Sequence, residues 1–107
     1  VNTQSHSNEV YNNTVSECEN GIDLRNEAYN NDIHHNIIIE SGKGIKVHSG
    51  AYSNTFHYNT IITNAKGIGI SVQNSNTEDN RFDNNQVIDS KLQKGDTNRN
   101  RIRNMLP

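Results

Sequence analysis

Asn-x-φ-x-x-Asn-x-φ, with φ apolar, recurs four times along this chain. The copies begin at Asn8, Asn31, Asn54 and Asn80, so the steps between them are 23, 23 and 26 residues. A fixed period in the low twenties, without helical spacing of apolar residues, constrains a chain to coil as a solenoid, each repeat stacking on the last. A second signal runs in phase: Gly21-Ile22-Asp23-Leu24, Gly44-Ile45-Lys46-Val47 and Gly67-Ile68-Gly69-Ile70 follow one another at 23-residue steps.

Each repeat therefore holds three short runs with apolar residues at alternate places, as in Val10, Val15 and Ile22/Leu24. Alternation of this kind is the mark of strands with one face turned inward. Three strands per turn joined by Asn-, Gly- and Ser-rich corners predict an all-β fold, a single-stranded right-handed parallel β-helix of about four turns. A leucine-rich repeat has a similar period but needs several leucines per repeat, and this chain has only Leu24, Leu92 and Leu106. The expected interior columns are Val10/Ile33/Phe56/Phe82, Val15/Ile38/Ile61/Val87 and Ile22/Ile45/Ile68.

Composition bears on how such a fold is held. Only 30% of the residues are apolar and 20 of the 107 are Asn, which elsewhere would point to disorder. A β-helix removes that conflict, because stacked Asn side chains at the corners can hydrogen-bond along a ladder, as amides do in cross-β structures.

Residues 1–90 form the repeat domain and 91–107 a degenerate terminal turn or cap. Gln93-Lys94-Gly95-Asp96 lacks the inward apolar pair, and Asn100-Arg101-Ile102 restarts the motif 20 residues after Asn80. Val1 lies 23 residues before Leu24, at the second apolar place of a strand whose start is missing. The chain is thus expected to be part of a longer solenoid, covered at the Val1 end by upstream turns or by end-to-end self-association.

Residues 1–90 carry 5 basic and 11 acidic side chains, and residues 91–107 carry 5 basic and 1 acidic. No aromatic residue interleaves with the basic cluster as nucleic-acid stacking requires, and no apolar run approaches transmembrane length. Cys18 has no partner for a disulfide; at 23-residue spacing it aligns with Ser41 and Asn64 at a corner.

Residues one repeat apart stack, so a site on this fold is a set of adjacent columns. Tyr11, His34, His57 and Asp83 form one, with Asn12, His35, Tyr58 and Asn84 beside it, and His6, Tyr29 and Tyr52 form a corner column. Outward places on the Gly-Ile strand are Asp23, Lys46 and Gly69, then Arg25, His48 and Ser71. His34, His57 and Tyr58 are the candidate proton-transfer groups, because histidine titrates nearest neutrality. Tyr11, His35, Lys46, Arg25 and His48 are candidate substrate contacts. No metal site is expected: a regular strand would point His34 and His35 to opposite sides, and no carboxylate cage is spaced around them. Nor is a cofactor evident. Asn76-Thr77-Glu78-Asp79-Asn80 has oxygen donors of the kind Ca²⁺ takes, but it reads as a loop bulge holding the three-residue insertion of the third turn.

The unit Asn54-Thr55-Phe56-His57-Tyr58-Asn59-Thr60-Ile61-Ile62 followed by Gly67-Ile68-Gly69-Ile70 resembles the parallel β-helix repeats of carbohydrate-binding proteins and sugar hydrolases. That group includes the mannuronan C5-epimerases, the NosD-like periplasmic proteins and several polysaccharide lyases. The resemblance covers residues 1–90 well and 91–107 poorly. It implies an extracellular, cell-surface or periplasmic prokaryotic protein that binds or acts on an acidic polysaccharide. An epimerase or lyase would work by removing the C5 proton of a uronate. The epimerases carry an Asp-Pro-His-Asp motif, absent here, where the one proline is Pro107; such a catalytic motif would lie outside this segment. The alternative is a non-catalytic β-helix used for adhesion or structure, as in surface proteins and phage spikes.

Overall fold

The computed structural model describes residues 5–73, 77–88, 91–95 and 101–105. Ten strands coil in one sense: β1 (Glu9–Tyr11), β2 (Thr14–Ser16), β3 (Asn20–Leu24), β4 (Asp32–His34), β5 (Ile37–Val47), β6 (Thr55–His57), β7 (Thr60–Val72), β8 (Arg81–Ile88), β9 (Lys91–Gly95) and β10 (Arg101–Met105). Every pairing between them is parallel, between strands one turn apart. The first sheet face is β1-β4-β6 and the start of β8; the second is β2 with the starts of β5 and β7 and the end of β8; the third is β3, the ends of β5 and β7, and β9. About three turns carry the described interior. The pairings of β9 with β7 and of β10 with β8 carry the backbone coil onward through the segment expected to decay.

Two of the three expected interior columns stand in register. Val10, Ile33, Phe56 and Phe82 pair in sequence, as do Val15, Ile38, Ile61 and Val87. From the second turn on these side chains are fully buried, and the Phe56 and Phe82 rings stack at 4.5 Å. Val10 and Val15, in the first turn, are half-buried against the same core.

The third column differs from expectation. Ile22 pairs with Ile45, but Ile45 pairs with Ile70, not Ile68; Lys43 takes Ile68. The third strand of the third turn has slid by two residues, so Ile70 and Val72 are buried and Ile68 turns partly outward. The glycine column becomes Gly21/Gly44/Gly69, and the outward column becomes Asp23/Lys46/Ser71. At the corner, Ser41 pairs with Thr63, not Asn64. Two of the three residues inserted in the third turn therefore enter before Ile68, and only the third falls between Val72 and Glu78, the partner of Tyr52.

Hydrogen bonding explains why the slip occurs at that corner. The other two corners are each closed by an amide ladder, Asn8/Asn31/Asn54/Asn80 and Asn13/Asn36/Asn59/Asn85. In each, the side-chain oxygen accepts from the backbone N–H and from Nδ2 of the Asn one turn earlier. Nδ2 of the later members also donates to a carbonyl of the preceding turn, such as Ala28 O or Ile33 O. Moving either corner by one residue would strand several buried polar groups at once, each at about 1–3 kcal/mol. The remaining corner has no such ladder: Ser41 Oγ and Thr63 Oγ1 are buried there without partners. It takes two of the three inserted residues, and the third enters the longer corner ahead of Asn80.

Candidate functional site

The ladder corners also set the directions of the surface side chains. The residue before each ladder Asn has a positive φ: Ser7, Asn30, Ser53 and Asp79 at one corner, and Asn12 (57°), His35 (54°), Tyr58 (55°) and Asn84 (57°) at the other. A left-handed residue breaks the strict alternation of a strand. His34 and His35 consequently converge instead of diverging, with Nδ1 to Nδ1 at 2.7 Å. Sequence reasoning missed this contact because it assumed a regular strand through the corner.

Convergence produces one continuous patch. Tyr11 stacks on His34 at 5.2 Å with parallel planes, and His34 lies 5.0 Å from His57. His35 stacks on Tyr58 at 5.3 Å, while His34–His35 and His57–Tyr58 meet edge to face. Tyr11 is 49% and Tyr58 53% exposed. Such pairs each contribute about 0.5–1.5 kcal/mol.

Two imidazoles of the patch are held by carboxylates from the turn before. His34 Nε2 lies 2.6 Å from Glu9 Oε2, and His57 Nε2 lies 2.7 Å from Asp32 Oδ1. In the next turn the column carries Asp83, 3.4 Å from Arg81, and its backbone register continues to Arg103. Glu9 and Asp32 were not singled out from the sequence. The available signal was their place two residues before Tyr11 and His34, on the same strand face.

Of the eight residues expected to form a site, the structure joins five here: Tyr11, His34, His35, His57 and Tyr58. The other three sit on the third sheet face or its end. Lys46 lies between Asp23 and Ser71. Arg25 is exposed. His48 is held by Asp23 Oδ1 at 2.8 Å through Nε2 and by Ser49 Oγ at 2.9 Å through Nδ1. The corner column His6/Tyr29/Tyr52 stacks at 4.7 and 5.1 Å and continues to Glu78, a separate ladder.

Against known proteins, residues 1–87 match the family described as right handed beta helix region. The chain belongs to this family. The parallel register, with strands pairing one turn apart, and the two amide ladders agree with that description. Searches of curated proteins and of solved structures returned no match. What distinguishes this β-helix is thus its own surface. In the column Asn12/His35/Tyr58/Asn84, the outer two places carry Asn, which tolerates left-handed backbone. The middle two carry rings; the positive φ they share recurs at thirteen described non-glycine residues, Glu17, Glu27 and Glu40 among them, and belongs to the turns of the coil.

Proposed function

We propose that this β-helix binds an extended polysaccharide along the Tyr11/His34/His57 and His35/Tyr58 ladders. The observation that carries the reading is the continuous ring platform that Tyr11, His34, His57, His35 and Tyr58 form across successive turns, with Tyr11 and Tyr58 about half exposed. Flat rings offer an apolar surface to the CH faces of sugars, while the flanking carboxylates, imidazoles and tyrosine hydroxyls offer hydrogen bonds. A rise of roughly 4.8 Å per turn lets one chain of sugars cross several turns. The resemblance to mannuronan epimerase-like and NosD-like repeats favours an acidic polysaccharide and a site outside the cytoplasm. Because Glu9, Asp32 and Asp83 line the face, affinity for a polyanion is expected to be modest and salt-sensitive.

A second reading, uronate epimerase or lyase chemistry, rests on the His57–Asp32 pair. Asp32 accepting from Nε2–H leaves the lone pair on Nδ1, the arrangement of a base oriented by a carboxylate. His57 would take the C5 proton and the adjacent Tyr58 hydroxyl would return one. The Asp-Pro-His-Asp motif of the epimerases is absent from the sequence, so binding is the primary reading and turnover the secondary one.

Titration with oligomannuronate, oligoguluronate and a neutral β-glucan oligomer, followed by ring resonances, tests the proposal. The Tyr11, His34, His57 and Tyr58 signals should shift together, and Tyr58→Asn should abolish the shifts without lowering stability. Shifts confined to residues of the third sheet face would refute the site; no shift with any of the three sugars would refute the function.

A further inference from the structure

In-register stacking sets the carboxylates of Glu9 and Asp32 on the same face of adjacent turns, since the two are register partners. Like charges opposed in this way destabilise a sheet unless a cation lies between or beside them. The imidazoles answer that need in part, His34 closing on Glu9 at 2.6 Å and His57 on Asp32 at 2.7 Å. One donor atom each from Glu9, Asp32 and His34 fall within 4.8 Å of one another. Zinc holds N and O donors at about 2.0–2.2 Å, which places tetrahedral ligands about 3.4 Å apart. The His34–Glu9 pair, at 2.6 Å, lies inside that spacing and no pair of the three exceeds 4.8 Å, so side-chain rotations would close the cluster on one ion.

We propose that Glu9, Asp32 and His34 form a binding site for a borderline divalent transition-metal ion, Zn²⁺ or Ni²⁺, with His57 beside them on Asp32. Imidazole donors select such ions over Mg²⁺ and Ca²⁺, which take six or more oxygens where this cluster offers two carboxylates. The surroundings supply the support that metal-bound histidines have. With His34 Nε2 as ligand, its Nδ1–H donates to His35 Nδ1, which lies 2.7 Å away only because His35 is left-handed. Tyr11, parallel to His34, holds the ring plane from the other side. The Glu9 and Asp32 carboxylates, both about half exposed, are the points of entry. The site does not depend on the polysaccharide reading and is measured without any sugar.

The test is calorimetric titration of the untagged chain with ZnCl₂, NiCl₂ and CaCl₂. One Zn²⁺ or Ni²⁺ should bind per chain, with no isotherm for Ca²⁺. His34→Ala and the isosteric, exposed Glu9→Gln should each abolish the isotherm while far-UV circular dichroism is unchanged. His48→Ala, which breaks the His48–Asp23 pair of the third face, should leave it intact. Trace Cu²⁺ should broaden the His34 and His57 ring signals before those of His6 and His48. The proposal is overturned by the lack of a saturable Zn²⁺ or Ni²⁺ isotherm, by binding that survives both Glu9→Gln and His34→Ala, or by broadening centred on His6 or His48.

Discussion

Replacing Asn59 by Ala removes four side-chain hydrogen bonds from the centre of the molecule. Asn59 Oδ1 accepts from the backbone N–H and the side-chain Nδ2 of Asn36, and Asn59 Nδ2 donates to Ile33 O and Asn85 Oδ1, at 2.9–3.1 Å. Two of the groups left behind keep a partner: Asn36 Nδ2 still donates to Val10 O, and Asn85 Oδ1 still accepts from the backbone N–H of residue 59. The Asn36 N–H does not, and it is buried. One orphaned buried donor costs about 1–3 kcal/mol and the other three lost bonds roughly 1 kcal/mol each, so the expected loss before rearrangement is roughly 4–6 kcal/mol. That is a large part of the 5–15 kcal/mol typical of a whole domain. The matched control is Asn13→Ala in the same ladder. Asn13 is exposed, its side chain donates only to Tyr11 O and Asn36 Oδ1, and Asn36 Oδ1 retains the Asn13 N–H. Its loss should be about 1 kcal/mol. Urea unfolding of both variants, compared at equal m-value, measures the difference. If Asn59→Ala costs no more than Asn13→Ala, amide ladders do not determine the stability of this coil, and the account of where the register slips fails with them.

Two further outcomes follow from the packing. Gly44→Ala places a methyl group against Ile61 Cγ2 and 2.6 Å from Gly69 O, so urea unfolding should show a loss of about 1–3 kcal/mol from overpacking; a neutral effect would contradict the Gly21/Gly44/Gly69 column. Among the described residues, β1, β2 and β3 pair on one side only, and an open depression of about 340 Å³ lies over Val10, Val15 and Ile22. End-on association through this edge is expected to make the mass by sedimentation equilibrium rise with concentration, and Thr14→Lys to abolish the rise by charging the edge; a mass independent of concentration would exclude it.

The parts of this protein legible in its sequence are those that repeat with the coil. The 23-residue step puts Val10, Ile33, Phe56 and Phe82 in one column, and the paired Asn of each repeat declare the two ladders, because burial of apolar groups and satisfaction of buried amides act identically in every turn. The third strand was ambiguous for a definite reason. Gly67-Ile68-Gly69-Ile70 is itself periodic at two residues, so Gly44-Ile45 matches Gly67-Ile68 and Gly69-Ile70 equally well. Only the packed structure decides between them: the ladders keep their Asn in register, and the corner without a ladder takes up two of the three inserted residues. The site was half legible on the same grounds. Tyr11, His34 and His57 stack because the period stacks them, whereas the meeting of His34 with His35 depends on a left-handed φ. The closed turn imposes that φ on whichever residue precedes a ladder Asn, Ser, Tyr and Asp as well as His. Lys46, Arg25 and His48 looked like neighbours of the patch along a flat list of columns, but in three dimensions a corner of the coil separates them, since a strand face ends where the chain bends.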